Sequence, residues 1–276
     1  MSATKIVSVS VVIPFFGRIE ELKRALDSVK NQEYVPNEII VINDGKTGEV
    51  LDELINIQKA FSFQTFELIN LPANRGVSYC RNLGWNISRA QYVAFLDDDD
   101  AWHPLKIKNQ FIFMEENPSI MLSGHLHKLI LECENLDLKW PISNLRYSRI
   151  SIMKLLIQNQ FITPSVMVRR NCRYRFLEAK RYSEDYHLWM NILINGCEIS
   201  LLHQELACIF KPLFGASGLS ANLLQMEIGE VGVYYSFAKS KPLLLPLIFP
   251  LTIYSFIKFI RRIIFTIFNN FKKKIK

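Results

Sequence analysis

The first hundred residues alternate two hydrophobic periods, and this alternation constrains the fold more than any other feature. Runs rich in β-branched residues, which predict strands, alternate with segments whose apolar residues recur every three or four positions, which predict amphipathic helices. The predicted strands cover residues 7–13, 38–42, 66–69 and 92–96, and the predicted helices cover 19–29, 51–58 and 77–88. Such alternation is typical of an α/β fold, a mostly parallel sheet with helices on both faces.

Beyond Pro104 the pattern changes, although no internal repeat and no low-complexity linker separates the two parts. Because no linker lies between them, the two parts are expected to share one sheet. The second part is predicted to contain helices at 105–116, 152–158 and 184–194, strands at 120–131, 165–169 and 206–211, an irregular polar connection at 136–150 and a loop at 215–218.

Side chains suited to binding follow three of the predicted strands, at residues 14–16, 43–45 and 97–100. Ligands of parallel sheets bind outside the carboxyl ends of the strands, so these segments are expected to meet. Residues 97–100 are four consecutive aspartates, which stay ionised together only if they are solvated, hydrogen-bonded or matched by positive charge. Mg2+ and Mn2+ prefer such oxygen ligands. The alternative is a solvated acidic turn after a buried strand.

The formal net charge of +7 is concentrated in the tail. Residues 258–276 hold seven basic residues and no acidic one, which leaves 26 basic and 26 acidic residues elsewhere. A neutral body argues against a general nucleic-acid interface. The five cysteines are scattered and form no CxxC pair, which argues against a disulfide framework or a zinc site. The N-terminal apolar run has no cleavage site after it, so a cytoplasmic location is expected.

The tail combines an apolar stretch with a basic one. Residues 243–257 carry no charge but contain Pro246 and Pro250, and the stretch is shorter than the roughly twenty residues that span a bilayer. The basic residues that follow, with Lys258 and Arg262 among them, fall on one helical face and apolar residues on another. This pattern predicts an interfacial amphipathic helix on anionic lipid. The alternatives are a helix packed on the protein's own body and a dimer helix.

Five segments in order carry a resemblance to a known family: SVSVVIPFFG (8–17), VINDGKT (41–47), NRGVSYCRN (74–82), LDDDDAWHP (96–104) and SEDYHLW (183–189). They resemble glycosyltransferase family 2, inverting enzymes that use nucleotide sugars and have the GT-A fold. The similarity spans about residues 8–220. The chain departs from the family's pattern at Asn43, at Lys46 and at the pair Phe16-Gly17.

The resemblance implies a donor site and a metal site at the strand ends. Asp99 is the implied ligand of Mn2+ or Mg2+, and the donor nucleotide is expected to contact Pro14, Phe16, Asp44, Arg81, Asp97 and Asp98. Within that set, Asp44 would accept a hydrogen bond from the base above a floor of Pro14 and Phe16. The alternatives are an ordinary turn aspartate at position 44 and a solvated helix arginine at position 81.

The resemblance also implies a catalytic segment. Asp185 is the implied general base that takes the proton of the acceptor hydroxyl, with Glu184 as its neighbour. Asp100 is expected near the donor sugar or an outer water, and Lys211 in a loop near the pyrophosphate. The alternative for residues 183–185 is helix capping, which favours the same residue types.

The implied architecture has a nucleotide-sugar-binding half at 1–104, an acceptor-binding and catalytic half at 105–220, and a membrane-associating helical tail at 221–276. The implied activity is transfer from a nucleotide sugar, a UDP-sugar by expectation, to a saccharide acceptor. A lipid-linked acceptor is expected, at the inner face of the cell membrane and in surface-polysaccharide synthesis, with no nucleic-acid partner. Two alternatives are a nucleotide-sugar pyrophosphorylase, which would need a Gly-rich loop after Ile13, and a catalytically silent nucleotide-sugar-binding protein.

Overall fold

The computed structural model describes residues 5–61, 65–130, 138–211 and 222–275. In the first part, strands and helices alternate: β1 (Lys5–Phe15), α1 (Ile19–Lys30), β2 (Tyr34–Asn43), α2 (Glu49–Ala60), β3 (Thr65–Asn70), α3 (Val77–Ile87) and β4 (Tyr92–Phe95). In the second part, the order is irregular: β5 (Ala101–Trp102), α4 (Lys106–Glu116), β6 (Ile120–Leu129), β7 (Tyr147–Arg149), α5 (Ile152–Ile157), β8 (Met167–Arg169), α6 (Glu184–Ile194) and β9 (Glu198–Ile209). Two helices follow: α7 (Leu223–Ser240) and α8 (Leu245–Ile275).

The nine strands of the described residues form one sheet in the order β3-β2-β1-β4-β8-β6-β9-β5, with β7 paired to β9. The neighbours β3, β2, β1 and β4 are parallel. Strand β8 is antiparallel to β4 and β6, β9 is parallel to β6, and β5 and β7 are antiparallel to β9. The predicted α/β sheet with flanking helices is confirmed, and its first half is the uniformly parallel one.

Helices cover both faces of this sheet because alternate residues of its central strands point to opposite sides. On one face, Val12 of β1 and Phe95 of β4 pack with Trp85 of α3 and with apolar residues of α5, α6 and α7. On the other face, Val11 and Ala94 pack with residues of α1 and α4. The strands are therefore buried on both sides, and their carboxyl ends are held at fixed positions.

Most elements begin and end within a few residues of the predicted bounds, and the exceptions have physical reasons. Strand β1 continues through Pro14, which pairs in register with Ile42, instead of stopping there. Strand β7 lies in the predicted irregular connection, since its three residues take their strand form from pairing with β9. Strand β9 is twice as long as predicted. The first half of the strand was missed because polar residues interrupt its apolar pattern. The predicted loop at 215–218 lies outside the described residues.

The tail forms one continuous helix where the sequence predicted a stretch broken by proline. Helix α8 has 31 residues with Pro250 inside it, and Pro246 lies in its first turn, where a backbone N–H has no helical partner to lose. Within the described residues, Pro242–Ile267 contains an 18-residue window with a mean hydropathy of 2.0, of which 11% is buried. By length and composition this helix is sufficient to cross a bilayer, because it extends well beyond the uncharged stretch 243–257 that the sequence predicted to be too short.

Two of the three described cations of α8, Lys258 and Arg262, contact the protein, whereas Arg261 is exposed. Lys258 and Arg262 both pair with Glu230 of α7, the latter at 3.2 Å, and Arg262 lies 3.9 Å from Glu227. The prediction that these two residues face lipid is wrong, because two acidic residues of α7 need partners as α8 packs on it. The outward face of α8 is apolar instead, with Phe249, Ile257 and Ile264 among its exposed side chains. The side chains from residue 268 onward lie outside the described part.

Candidate active site

The candidate site lies at the carboxyl ends of the parallel strands β1, β2 and β4. The backbone N–H of Asp44, after β2, donates to the carbonyl of Phe15 at 2.9 Å. The backbone N–H of Phe16 donates to the Asp98 carboxylate, after β4, at 3.3 Å. The three predicted strand ends therefore meet.

An exposed aromatic ring marks the end of β1. The Phe16 side chain is 52% exposed, and the Lys46 ammonium lies 3.8 Å from the centre of its ring. Asn43 fixes the backbone of Lys46, accepting from its N–H at 3.1 Å and donating to its carbonyl at 2.7 Å. Gly17 leaves room for the lysine chain, since a Cβ there would lie 3.0 Å from Lys46 Cε. The three departures from the family's pattern are thus neighbours in space.

Asp44 is buried and holds the loop after β3. Its carboxylate accepts from the side chain of Asn74 at 2.8 Å and from the backbone N–H groups of Arg75 at 2.6 Å and Gly76 at 3.0 Å. Three of its roughly four acceptor sites are therefore used inside the protein. The Cys80 thiol also hydrogen-bonds this carboxylate, and the predicted contact of Asp44 to a base stays a prediction.

Cations gather around two of the four aspartates. Arg18 binds Asp98 and donates to Asp99 Oδ2 at 2.7 Å, and the Lys211 ammonium donates to the same oxygen at 2.8 Å. Arg24 donates to the backbone carbonyl of Asp99 at 2.7 Å. The acidic cluster is therefore an ion-paired site and not a solvated turn.

Burial raises the pKa of two aspartates in this cluster, Asp98 and Asp100. Burial raises the pKa of Asp98 to about 6, against the opposing charge and hydrogen bond of Arg18. Burial, and next the charges of Asp97 and Asp99, raise the pKa of Asp100 well above its usual range. Positive charge delivered by a ligand would favour the ionised form of both.

Arg81 joins the acidic cluster to the predicted catalytic segment. Its guanidinium, on α3, donates to Asp97 at 2.7 Å and to Glu184 at 3.0 Å, and it lies over the ring of Phe176. The Arg81 side chain is only 4% exposed. A buried arginine with two carboxylate partners is a structural link, so a direct contact between Arg81 and a nucleotide stays a prediction.

Two partly buried carboxylates open helix α6. Burial, and next the charge of Asp185, raise the pKa of Glu184 to about 7, while Arg81 opposes the shift. Burial also raises the pKa of Asp185, whose oxygens accept from the backbone N–H of Tyr186 at 2.6 Å and from Asn159 at 3.4 Å. A carboxylate whose pKa is raised toward neutrality is suited to general-base chemistry.

The residues fit a metal that takes most of its ligands from a substrate. No three His, Cys, Asp or Glu side chains of the described residues converge as a metal-binding group. Mg2+ and similar ions are commonly held by one or two carboxylates together with substrate phosphates. Asp99 offers such a carboxylate, and it already attracts two cations.

Sequence reasoning did not identify three residues of this site: Arg18, Arg24 and Asn159. It named Lys46 only as a departure from the family's pattern. The one available clue to Arg18 was its position three residues after the end of β1. Lys211 was predicted, and the structure brings it to Asp99.

The chain has relatives among characterised and uncharacterised glycosyltransferases. An uncharacterized glycosyltransferase of Haemophilus influenzae is 28% identical over 236 residues, which is 84% of this chain and 89% of the relative. One of Rickettsia bellii is 32% identical over 189 residues, and the match covers 67% of this chain but only 26% of that longer relative. The Escherichia coli protein named UDP-Glc:alpha-D-GlcNAc-diphosphoundecaprenol beta-1,3-glucosyltransferase WfaP is 26% identical over 195 residues, 68% of this chain and 71% of the relative.

Solved structures share the fold at low identity. Staphylococcus aureus TarS 1-349 in complex with UDP-GlcNAc matches with a TM-score of 0.66 at 15% identity, covering 84% of this chain and 67% of TarS. The mannosyltransferase PcManGT from Pyrobaculum calidifontis in complex with GDP-Man and Mn2+ matches with a TM-score of 0.65 at 14% identity, covering 91% of this chain and 74% of the other. The model of Glycosyl transferase family 2 matches residues 10–173, which is more than half of the sequence. The chain belongs to glycosyl transferase family 2.

Proposed function

We propose that the protein is an inverting glycosyltransferase that moves a sugar from a UDP-sugar to a saccharide acceptor on a lipid carrier. The observation that carries the proposal is the link through Arg81, which ties the acidic cluster at the end of β4 to Glu184 beside Asp185. A diphosphate site and a candidate base on one rigid network is the arrangement that a single displacement requires.

The donor nucleotide binds at the strand ends. Pro14 and the exposed ring of Phe16 form the floor under the base, and Asp44 accepts a hydrogen bond from the base edge. Asp97 and Asp98 contact the ribose. Arg81 acts on the donor indirectly, because its hydrogen bond fixes the position of the Asp97 carboxylate. UDP is favoured because the E. coli relative is named for UDP-Glc and TarS binds UDP-GlcNAc, while the GDP-Man bound to PcManGT makes GDP the competing choice.

Asp185 is the general base. Its carboxylate takes the proton of the acceptor hydroxyl, whose oxygen attacks the anomeric carbon. The bond from that carbon to the β-phosphate oxygen breaks, and the electron pair leaves with the nucleoside diphosphate. Attack from the face opposite the leaving group inverts the anomeric centre, by analogy with inverting hydrolysis. Glu184 stays on Arg81 and helps to set the charge around Asp185.

Asp99 is the residue that would hold Mn2+ or Mg2+. When bound, the metal supplies positive charge to the departing diphosphate. Lys211 and Arg18, which pair with Asp99 in the structure, supply positive charge beside the position where the phosphates would bind. Asp100, whose pKa is raised by burial, lies next to this point and positions the donor sugar or an outer water.

The proposed location is the inner face of the cell membrane, and the proposed pathway is surface-polysaccharide synthesis. The outward apolar face of the tail supports insertion into the lipid interface, and the E. coli relative, named for a diphosphoundecaprenol acceptor, supports a lipid-linked substrate. Since Lys258 and Arg262 are paired internally, we expect apolar contact to contribute more to the binding than these two cations. Pelleting with vesicles should therefore persist in 1 M salt and disappear on deletion of residues 245–276, whereas release by salt alone would contradict this mode of binding.

A screen of nucleotide sugars tests the proposed reaction. The full-length protein is incubated with UDP-, GDP- and ADP-sugars and a lipid-linked saccharide, with and without Mn2+, and the anomeric configuration of the product is read by NMR. We expect a UDP-sugar to be consumed only with metal and the configuration to invert. Retention of configuration would contradict the displacement, and binding of UDP-sugars without turnover would favour a silent nucleotide-sugar-binding protein.

A further inference from the structure

The residue before the two carboxylates of α6 has an unusual backbone conformation. Ser183 has φ 55° and ψ 32°, the only positive φ of a non-glycine residue among those that the structure describes. A left-handed conformation is unfavourable for a residue with a Cβ and persists where its surroundings impose it. The Ser183 hydroxyl makes no capping bond to α6, so the side-chain cap is not what imposes it.

Helix α7 packs directly on this turn through a glycine. A Cβ at Gly229 would lie 2.9 Å from the carbonyl oxygen of Tyr182 and 3.0 Å from Ser183 Oγ. The Lys180 ammonium donates to the Gly229 carbonyl at 2.9 Å, which fixes the other side of the same contact. The backbone of α7 therefore touches the 180–183 segment with no side chain between them.

Helix α7 is held between α6, which begins with Glu184 and Asp185, and α8. The Tyr234 ring packs edge-on against Tyr186 at 6.4 Å between centres, and its hydroxyl donates to Glu230 at 3.0 Å. Glu230 in turn pairs with Lys258 and Arg262 of α8. The contacts run without a break from the apolar tail helix to the residue after Asp185.

We propose that α7 is a positioning element of the active site, and that Gly229 is the residue that lets its backbone hold Ser183 in the left-handed turn from which Glu184 and Asp185 project. This role of α7 rests on the assignment of Asp185 as the base. It means that the tail helices position the catalytic segment in addition to contacting the membrane. A small displacement of the turn moves the carboxylate away from the acceptor oxygen, and a misplacement of about 1 Å lowers turnover on the order of 100-fold.

Two glycines of the same helix provide a matched pair of variants. Gly229→Ala adds a methyl group against the turn, whereas at Gly232 a Cβ would meet only the end of the Lys180 chain, at 3.7 Å. Both changes raise helix propensity equally. We expect Gly229→Ala to lower kcat by about 10- to 100-fold with the dissociation constant for UDP within twofold of wild type, and Gly232→Ala to leave both values unchanged.

Hydrogen exchange at the amides of residues 182–186 supplies a readout that does not depend on turnover. Exchange should rise in Gly229→Ala and stay at the wild-type rate in Gly232→Ala. If Gly229→Ala fails to fold, Lys180→Met removes one contact without adding atoms, and a smaller change in the same direction is expected.

Unchanged kcat and unchanged exchange in Gly229→Ala would overturn the inference, as would equal effects of the two alanines. A wild-type protein that transfers no sugar would contradict the proposed function instead, and the exchange rates would still decide whether α7 holds the turn.

Discussion

Replacing Arg81 with methionine tests the link between the two halves of the site. Methionine keeps much of the side-chain volume and the contact with Phe176 but removes both ion pairs. Breaking a buried ion pair by removing one partner costs about 3–5 kcal/mol, because the other charge stays buried and unmatched. Asp97 keeps 30% of its side chain exposed and can be solvated, whereas Glu184 keeps only 13%, so the lower end applies, about 3 kcal/mol.

Chemical denaturation at pH 8, where Glu184 is ionised, measures this loss. A loss of about 3 kcal/mol corresponds to a fall in Tm of about 6–12 °C for a domain of this size. Arg89→Met is the matched control, since Arg89 is 69% exposed and lies 3.7 Å from Glu67, a surface pair worth about 1 kcal/mol or less. Adding Glu184→Gln to Arg81→Met should recover part of the loss. A loss from Arg81→Met no larger than that from Arg89→Met would refute the reasoning.

Three further predictions concern the same site. Because the pKa of Glu184 is raised to about 7, above its ordinary value of 4.5, its protonated form stabilises the fold below pH 4.5, and this contribution is lost as the pH rises through 7. Glu184→Gln should flatten that part of the curve of unfolding free energy against pH, and an unchanged curve would count against the shift. Gly45→Ala should destabilise the protein by more than about 1 kcal/mol, because a Cβ there would lie 2.6 Å from the backbone at 73–74. Gly48→Ala should destabilise it less, because Gly48 also has a positive φ but open space around it. Calorimetry that ranks the two variants in the reverse order would contradict this. Lys46→Met should weaken UDP binding several-fold by calorimetric titration and leave pyrophosphate binding unchanged, and an equal loss for both ligands would place the ammonium on the phosphates.

The strands and their polar ends could be predicted from the sequence because each depends on local pattern. The apolar residues before Asp97 predict a buried strand whichever strands lie beside it. The parallel order of β4, β1 and β2 then brings the carboxyl end of β4 beside those of β1 and β2. The pairing of Arg81 with Glu184 could not be predicted, since the two lie 103 residues apart and meet only because α3 and α6 pack on the same face of the sheet.

The tail shows the same limit. Its helical period predicted a charged face correctly, but which surface that face contacts depends on Glu230 of α7. Helix α7 lies in the predicted helical tail, yet its packing against α8 has no local signal in the sequence. The left-handed turn at Ser183 also has no sequence signal, because its cause is the close approach of Gly229.

In the proposed reaction Asp185 is the base of sugar transfer and the acidic cluster binds the donor. Transfer and UDP affinity are measured together in Asp185→Asn and in Asn159→Ala, which removes one hydrogen bond to that carboxylate and one from the Phe161 N–H. Loss of a general base costs about 100- to 10,000-fold in rate, so we predict a fall in kcat within that range for Asp185→Asn, a smaller fall for Asn159→Ala, and UDP dissociation constants within twofold of wild type for both. Transfer by Asp185→Asn within tenfold of the wild-type rate would contradict the account.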